Sequence, residues 1–130
     1  MNAPSPSTLL PPVLRILGLI FIVGIPLLNR IWPSGWAWVP EQPAYLQMIW
    51  GIYATLGVFL LIAARDPAPH LSLIWFTVWS SVVHGAVMAV HSLTDPGQMG
   101  HLGGDVAALF LTAVVLTVLV RRELRVGAGA

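Results

Sequence analysis

Four apolar stretches divide the chain, at approximately 12–30, 44–64, 71–93 and 101–120. Each is close to the roughly 20 residues that a helix needs to cross about 30 Å of hydrocarbon. A backbone surrounded by lipid must satisfy its own hydrogen bonds, and stretches of this length do so as helices. The expected fold is therefore all-α: an integral membrane four-helix bundle. Composition agrees, since 57% of residues are hydrophobic and 8% are charged, against about 25% charge in ordinary soluble domains. Residues 1–130 read as a single membrane domain, with small or polar tails at 1–8 (MNAPSPST) and 126–130 (VGAGA) expected to be flexible.

The first stretch opens at Pro11 and Pro12, where proline suits a helix start, and Arg15 is near enough to its end to snorkel. Pro26 is expected to kink it. Arg15 followed by an apolar run also resembles a signal peptide, but Asn29-Arg30-Ile31-Trp32 follows instead of a small-x-small cleavage site. The reading adopted is a retained first helix. Between helices 1 and 2 lies IWPSGWAWVPEQP, in which Trp32, Trp36 and Trp38 occur with three prolines in a short loop. Indole rings favour the headgroup level and proline interrupts helix, so an interfacial Trp/Pro-rich loop is expected. An aromatic lid over a ligand is the functional alternative.

Short connections at 65–69 and 94–100 make helices 2, 3 and 4 successive neighbours, giving an antiparallel up-down topology. Four crossings place Arg15, Arg65, Arg121, Arg122 and Arg125 on one side and Arg30 on the other. The arginine-rich side is expected to be cytoplasmic, together with both termini. Cysteine is absent, which excludes disulfides, thiolate metal sites and covalent haem attachment. A net charge of +1 gives no basic footprint for nucleic acid.

Ionisable residues within membrane spans are costly and mark packing or functional contacts. At 100° per residue, Thr77, Ser81, His84, Gly85, His91 and Ser92 share one face of helix 3, opposite an aliphatic face containing Val87, Val90 and Leu93. On helix 4, His101, Gly104, Asp105, Ala108 and Thr112 form a matching face. The two faces are expected to meet, with Ser81, Gly85 and Ala89 on helix 3 and Gly103 and Gly104 on helix 4 allowing close approach and leaving little space for a large cofactor. Rise per residue puts Asp105 roughly 6 Å, and His84 roughly 10 Å, deeper than a rim formed by His91 and His101. Asp105 could then pair with His84 or with a rim histidine. On helix 2, Gln47, Trp50, Gly51 and Ala54 share an arc that could close over this cluster, with Tyr53 off that arc; Ser81, Trp50, Gln47 and Thr112 are the supporting candidates.

Several chemistries remain open from these residues. One is a structural polar clamp joining helices 3 and 4 without any cofactor. His91, His101 and Asp105 could instead hold zinc, iron or copper. Haem b between His91 and His101 is a third option, and proton transfer through His84, Asp105 and His101 a fourth, although helix 4 is nearly devoid of polar residues beyond Thr112. Ser80 and Ser81 beside His84 suggest back-bonding to the preceding turn rather than an activated nucleophile. GHLGGD at 100–105 lacks the strand that a phosphate loop requires, and His70 beside Pro69 reads as a residue at the start of helix 3.

The runs GIYATLGVFLLIAARDP (51–67), LIWFTVWSSVVHGAVMAVHSL (73–93) and HLGGDVAAL (101–109), with WPSGW at 32–36, resemble a family of small uncharacterised bacterial four-helix membrane proteins. Their layout is loosely similar to that of the DoxX-like proteins. The resemblance implies a multi-pass protein of the bacterial inner membrane without an assigned reaction, and it points to His84, His91, His101 and Asp105 without giving them a chemistry. The expected function is a non-enzymatic scaffold or accessory subunit whose buried His/Asp cluster joins helices 3 and 4, and whose partners are the lipid bilayer and other membrane proteins or a second copy of itself. A metal or haem redox protein and a small oligomeric transporter are the alternatives.

Overall fold

The computed structural model describes residues 9–38 and 43–128, so the expectations for the tail 1–8 and for Pro40 and Glu41 in the Trp/Pro-rich loop lie outside the described residues. Every regular element among the described residues is helical. Four of these stretches are long and apolar enough to cross a membrane: Leu10–Ile31, Ala44–Ala63, Ala68–Thr94 and Pro96–Val126.

The first comprises α1 (Leu10–Leu19), a π-helical turn (Ile20–Gly24) and α2 (Ile25–Ile31). Proline at position 26 has no N–H to return to the preceding turn, and the wider π turn directly before it absorbs the irregularity expected there. Trp32, forced out of the helical region by the following proline, ends α2 at φ −139° and ψ 65°. The short α3 (Pro33–Trp36) follows, and then α4 (Pro43–Ala63). A 3₁₀ turn (Ala68–His70) leads into α5 (Leu71–Thr94), with His70 at its N-cap position and no capping bond from the side chain.

Asp95 breaks the chain again before Pro96, and its carboxylate accepts from the Gly97 N–H at 2.9 Å. The expected start of helix 4 needs correction here. Residues Pro96–Leu102 form a 3₁₀ helix, and α6 begins only at Asp105, running to Ala128, well beyond the expected end at 120.

Packing is concentrated in two pairs. α1 and α4 touch backbone to backbone: a Cβ added to Gly18 would lie 2.8 Å from the Gly57 carbonyl oxygen, and one on Gly57 would lie 2.6 Å from that of Gly18. Small residues permit this approach where larger side chains would hold the helices apart. α5 and α6 form the more extensive pair, with Gly85 against Leu109 and Phe110. Leu10 and Leu14 from α1, Leu60 from α4, Ile74 from α5, and Leu116 and Val120 from α6 make a common, fully buried core at the end where α1 begins. Away from that end α4 and α5 scarcely meet. Trp79, Val83, Val87 and Val90 on α5, and Leu111, Val114 and Val118 on α6, are exposed; so much uncovered apolar surface belongs to a protein that sits in lipid.

Gly104 serves a different neighbour from the one expected. Its α-carbon faces the Gly35 carbonyl so closely that a Cβ would collide with it, and Gly100 is pressed likewise against the Ser34 carbonyl. These glycines admit α3 onto the start of α6 rather than α5. Gly103 is exposed, with only the Gly100 carbonyl within 4 Å of an added Cβ, at 3.9 Å.

Candidate functional site

The docking of α3 brings Trp38 to Asp105. The Trp38 Nε1–H donates to Asp105 Oδ2 at 3.0 Å, and His101 Nδ1 lies 2.9 Å from the same oxygen. A carboxylate only accepts, so the shared proton belongs to Nδ1. The indole also stacks on the His101 ring, with centroids 4.1 Å apart and planes inclined by 29°. His101 is 1% exposed and Asp105 7%. The 3₁₀ run explains the contact: it delivers His101 one turn ahead of α6, over the first residue of that helix.

A second polar pair lies apart from the first. The Tyr53 hydroxyl and His84 Nδ1 share a hydrogen bond of 2.5 Å that ties α4 to α5. His84 therefore bonds a tyrosine on helix 2 rather than Asp105. The clamp expected between helices 3 and 4 is replaced by two links, Tyr53 to His84 and Trp38 to Asp105. A phenol placed within a span seeks a hydrogen-bond partner, a signal that could have singled out Tyr53. Trp38 was legible only as one of three indoles in an interfacial loop or aromatic lid, because nothing in the local pattern shows which residue it would reach.

The remaining candidates distribute as follows. His91 is exposed and meets the edge of Trp38, with centroids 6.3 Å apart. Among the described residues no three His, Asp or Glu side chains gather closely enough to share an ion, so His91, His101 and Asp105 do not converge. A porphyrin between His91 and His101 would have to displace Trp38, which contacts both rings. Ser81 is buried, and Ser80 donates to the Thr77 carbonyl at 3.2 Å. Thr112 donates to the Ala108 carbonyl at 2.8 Å. The arc proposed on helix 2 is turned: Gln47 is exposed and an added Cβ on Gly51 would meet nothing within 4 Å, whereas Trp50 and Tyr53 point inward.

Where the two helix pairs part, they enclose a cleft of about 680 Å³. Its walls come from the first span, α4, α5 and α6, and Trp36 and Trp38 also line it, Trp38 being the one bonded to Asp105. The close approach of α5 and α6 thus leaves room elsewhere. Tyr45, Ile49 and Leu111 line the cleft while being exposed, so it opens on the side of the molecule. Three polar atoms of cleft-lining residues are buried and without a hydrogen-bond partner among the described residues: Trp36 Nε1, Trp50 Nε1 and Asp105 Oδ1. A smaller cavity of about 450 Å³ lies beyond Trp38, between His84, Met88, His91 and Gln98.

Over residues 4–127 the chain matches DUF6632, a family of unknown function, and it belongs to that family. No curated protein and no solved structure matches it.

Proposed function

We propose that this DUF6632 protein is a membrane-embedded binding protein that takes an amphipathic molecule from the lipid phase into the cleft between its helix pairs. The carrying observation is the cleft itself: an apolar groove of about 680 Å³ that opens sideways, with the Trp38–Asp105 pair among its lining. Small-molecule sites have this size and this ratio of apolar wall to placed polar groups. A side opening in a membrane protein faces acyl chains, so the occupant would enter from the bilayer.

In this reading the helices alternate up and down in a bacterial inner membrane. The polar end of the cleft lies near the extracytoplasmic surface, and the arginine-rich side with both termini is cytoplasmic. The arginine distribution supports that orientation. Binding rather than catalysis is favoured by the indole of Trp38, which covers one face of the His101 ring.

Titrating the detergent-solubilised chain with lauroyl lysophosphatidylethanolamine tests the proposal through the emission of Trp36, Trp38 and Trp50. A saturable change at one site per chain is expected. It should disappear in Ala108→Phe, which fills the cleft, and persist in the outward-facing Val87→Phe. A change that grows linearly, or that ignores Ala108→Phe, contradicts the proposal. A scaffold whose partner helix fills the same groove would then be the reading to pursue.

A further inference from the structure

Resting on the cleft being a ligand site, we infer that its polar end selects a headgroup with a cationic nitrogen next to an oxygen acceptor, the pattern of an aminolipid. The argument begins with Asp105. One carboxylate oxygen takes both available hydrogen bonds, from Trp38 and His101, while Oδ1 has no partner among the described residues although the side chain is more than nine-tenths buried. A buried carboxylate oxygen without a donor is costly, and a donor supplied by a ligand removes that cost.

Charge complementarity narrows the donor. Among the described residues that line the cleft, Asp105 is the one acidic residue and none is an arginine. The rings of Trp36, Trp38, Trp50 and Tyr53 line the same space. A carboxylate set among aromatic faces recognises a cation twice over, by charge and by the negative ring faces. A hydroxyl headgroup would satisfy Oδ1 but would draw nothing from the rings.

The two indole N–H groups supply the second half of the pattern. Trp36 Nε1 and Trp50 Nε1 are buried donors without acceptors, and they cannot serve an ammonium. An oxygen close to the nitrogen, such as the phosphate of a phosphoethanolamine, accepts from them while the ammonium donates to Asp105. The acyl chain then runs along Ile49, Leu109 and Val115.

Three lauroyl probes of equal chain length separate the contributions: lysophosphatidylethanolamine, lysophosphatidylglycerol and monolaurin, each titrated into the full chain in a neutral detergent. The ethanolamine probe should bind about tenfold or more tightly than the other two, the ratio given by one charge-assisted hydrogen bond. In folded Asp105→Asn the affinities of the two lysophospholipids, which both keep the phosphate offered to the indoles, should fall within about threefold of one another, as expected when that bond is removed. If lysophosphatidylglycerol or monolaurin binds wild-type protein as well as the ethanolamine probe, the headgroup inference fails while the cleft reading stands. If none of the three binds, both fail. The wild-type comparison decides the matter even where the variant does not fold.

Discussion

At the scale of single residues the site turns on one carboxylate with two unequal oxygens. Asp105 Oδ2 anchors Trp38 and His101, which come from separate segments of the chain, while Oδ1 is left for something else. Hydrogen bonds to a charged acceptor contribute about 1.5–3 kcal/mol each, and a donor that loses its acceptor in a buried place costs a comparable amount. Asp105→Asn keeps the size but removes the charge, so thermal unfolding in detergent should show a loss of about 2 kcal/mol, accompanied by a red shift in tryptophan emission as Trp38 loosens. Unchanged melting would mean that the buried pair contributes little to holding α3 down. That His101 and Asp105 could pair was legible from their spacing of four on one helix face. The partner of His84 was not, because periodicity shows which face a residue occupies and says nothing about which of several neighbouring helices will meet it.

At the scale of elements, two kinds of glycine behave differently. Gly18 and Gly57 allow two backbones to touch, whereas Gly51 on the same helix as Gly57 has open space where a side chain would be. Gly57→Ala should therefore cost about 1–3 kcal/mol by overpacking. Gly51→Ala should stabilise slightly, because alanine is the better helix former by about 1 kcal/mol. Paired melts of the two variants check this, and equal effects would contradict the α1 to α4 contact. The four spans could be read from hydropathy because a 20-residue apolar run has few alternatives. The start of α6 could not. Gly100, Gly103 and Gly104 permit either a helix or a 3₁₀ run, and the choice depends on α3 docking against the bare α-carbons of Gly100 and Gly104, which is a tertiary contact.

At the scale of the whole molecule, tight packing within each pair of helices and loose packing between pairs gives a molecule closed at one end and open at the side. The absence of cysteine makes orientation easy to examine, since single cysteines can be introduced without background. Gly97→Cys should react with an impermeant maleimide added outside intact cells, and Asp66→Cys only after the membrane is permeabilised; the reverse pattern would invert the proposed orientation. The central claim is that the cleft holds a molecule drawn from the bilayer. The most direct measurement is photolabelling in liposomes with a lyso-lipid bearing a diazirine in its acyl chain, followed by mapping of the modified residues. Labels are predicted on Ile49, Trp50, Leu109 and Val115, competed away by unlabelled lyso-lipid. Labels confined to Trp79, Val83 and Val87 on the outer face of α5, or unaffected by competitor, would contradict it.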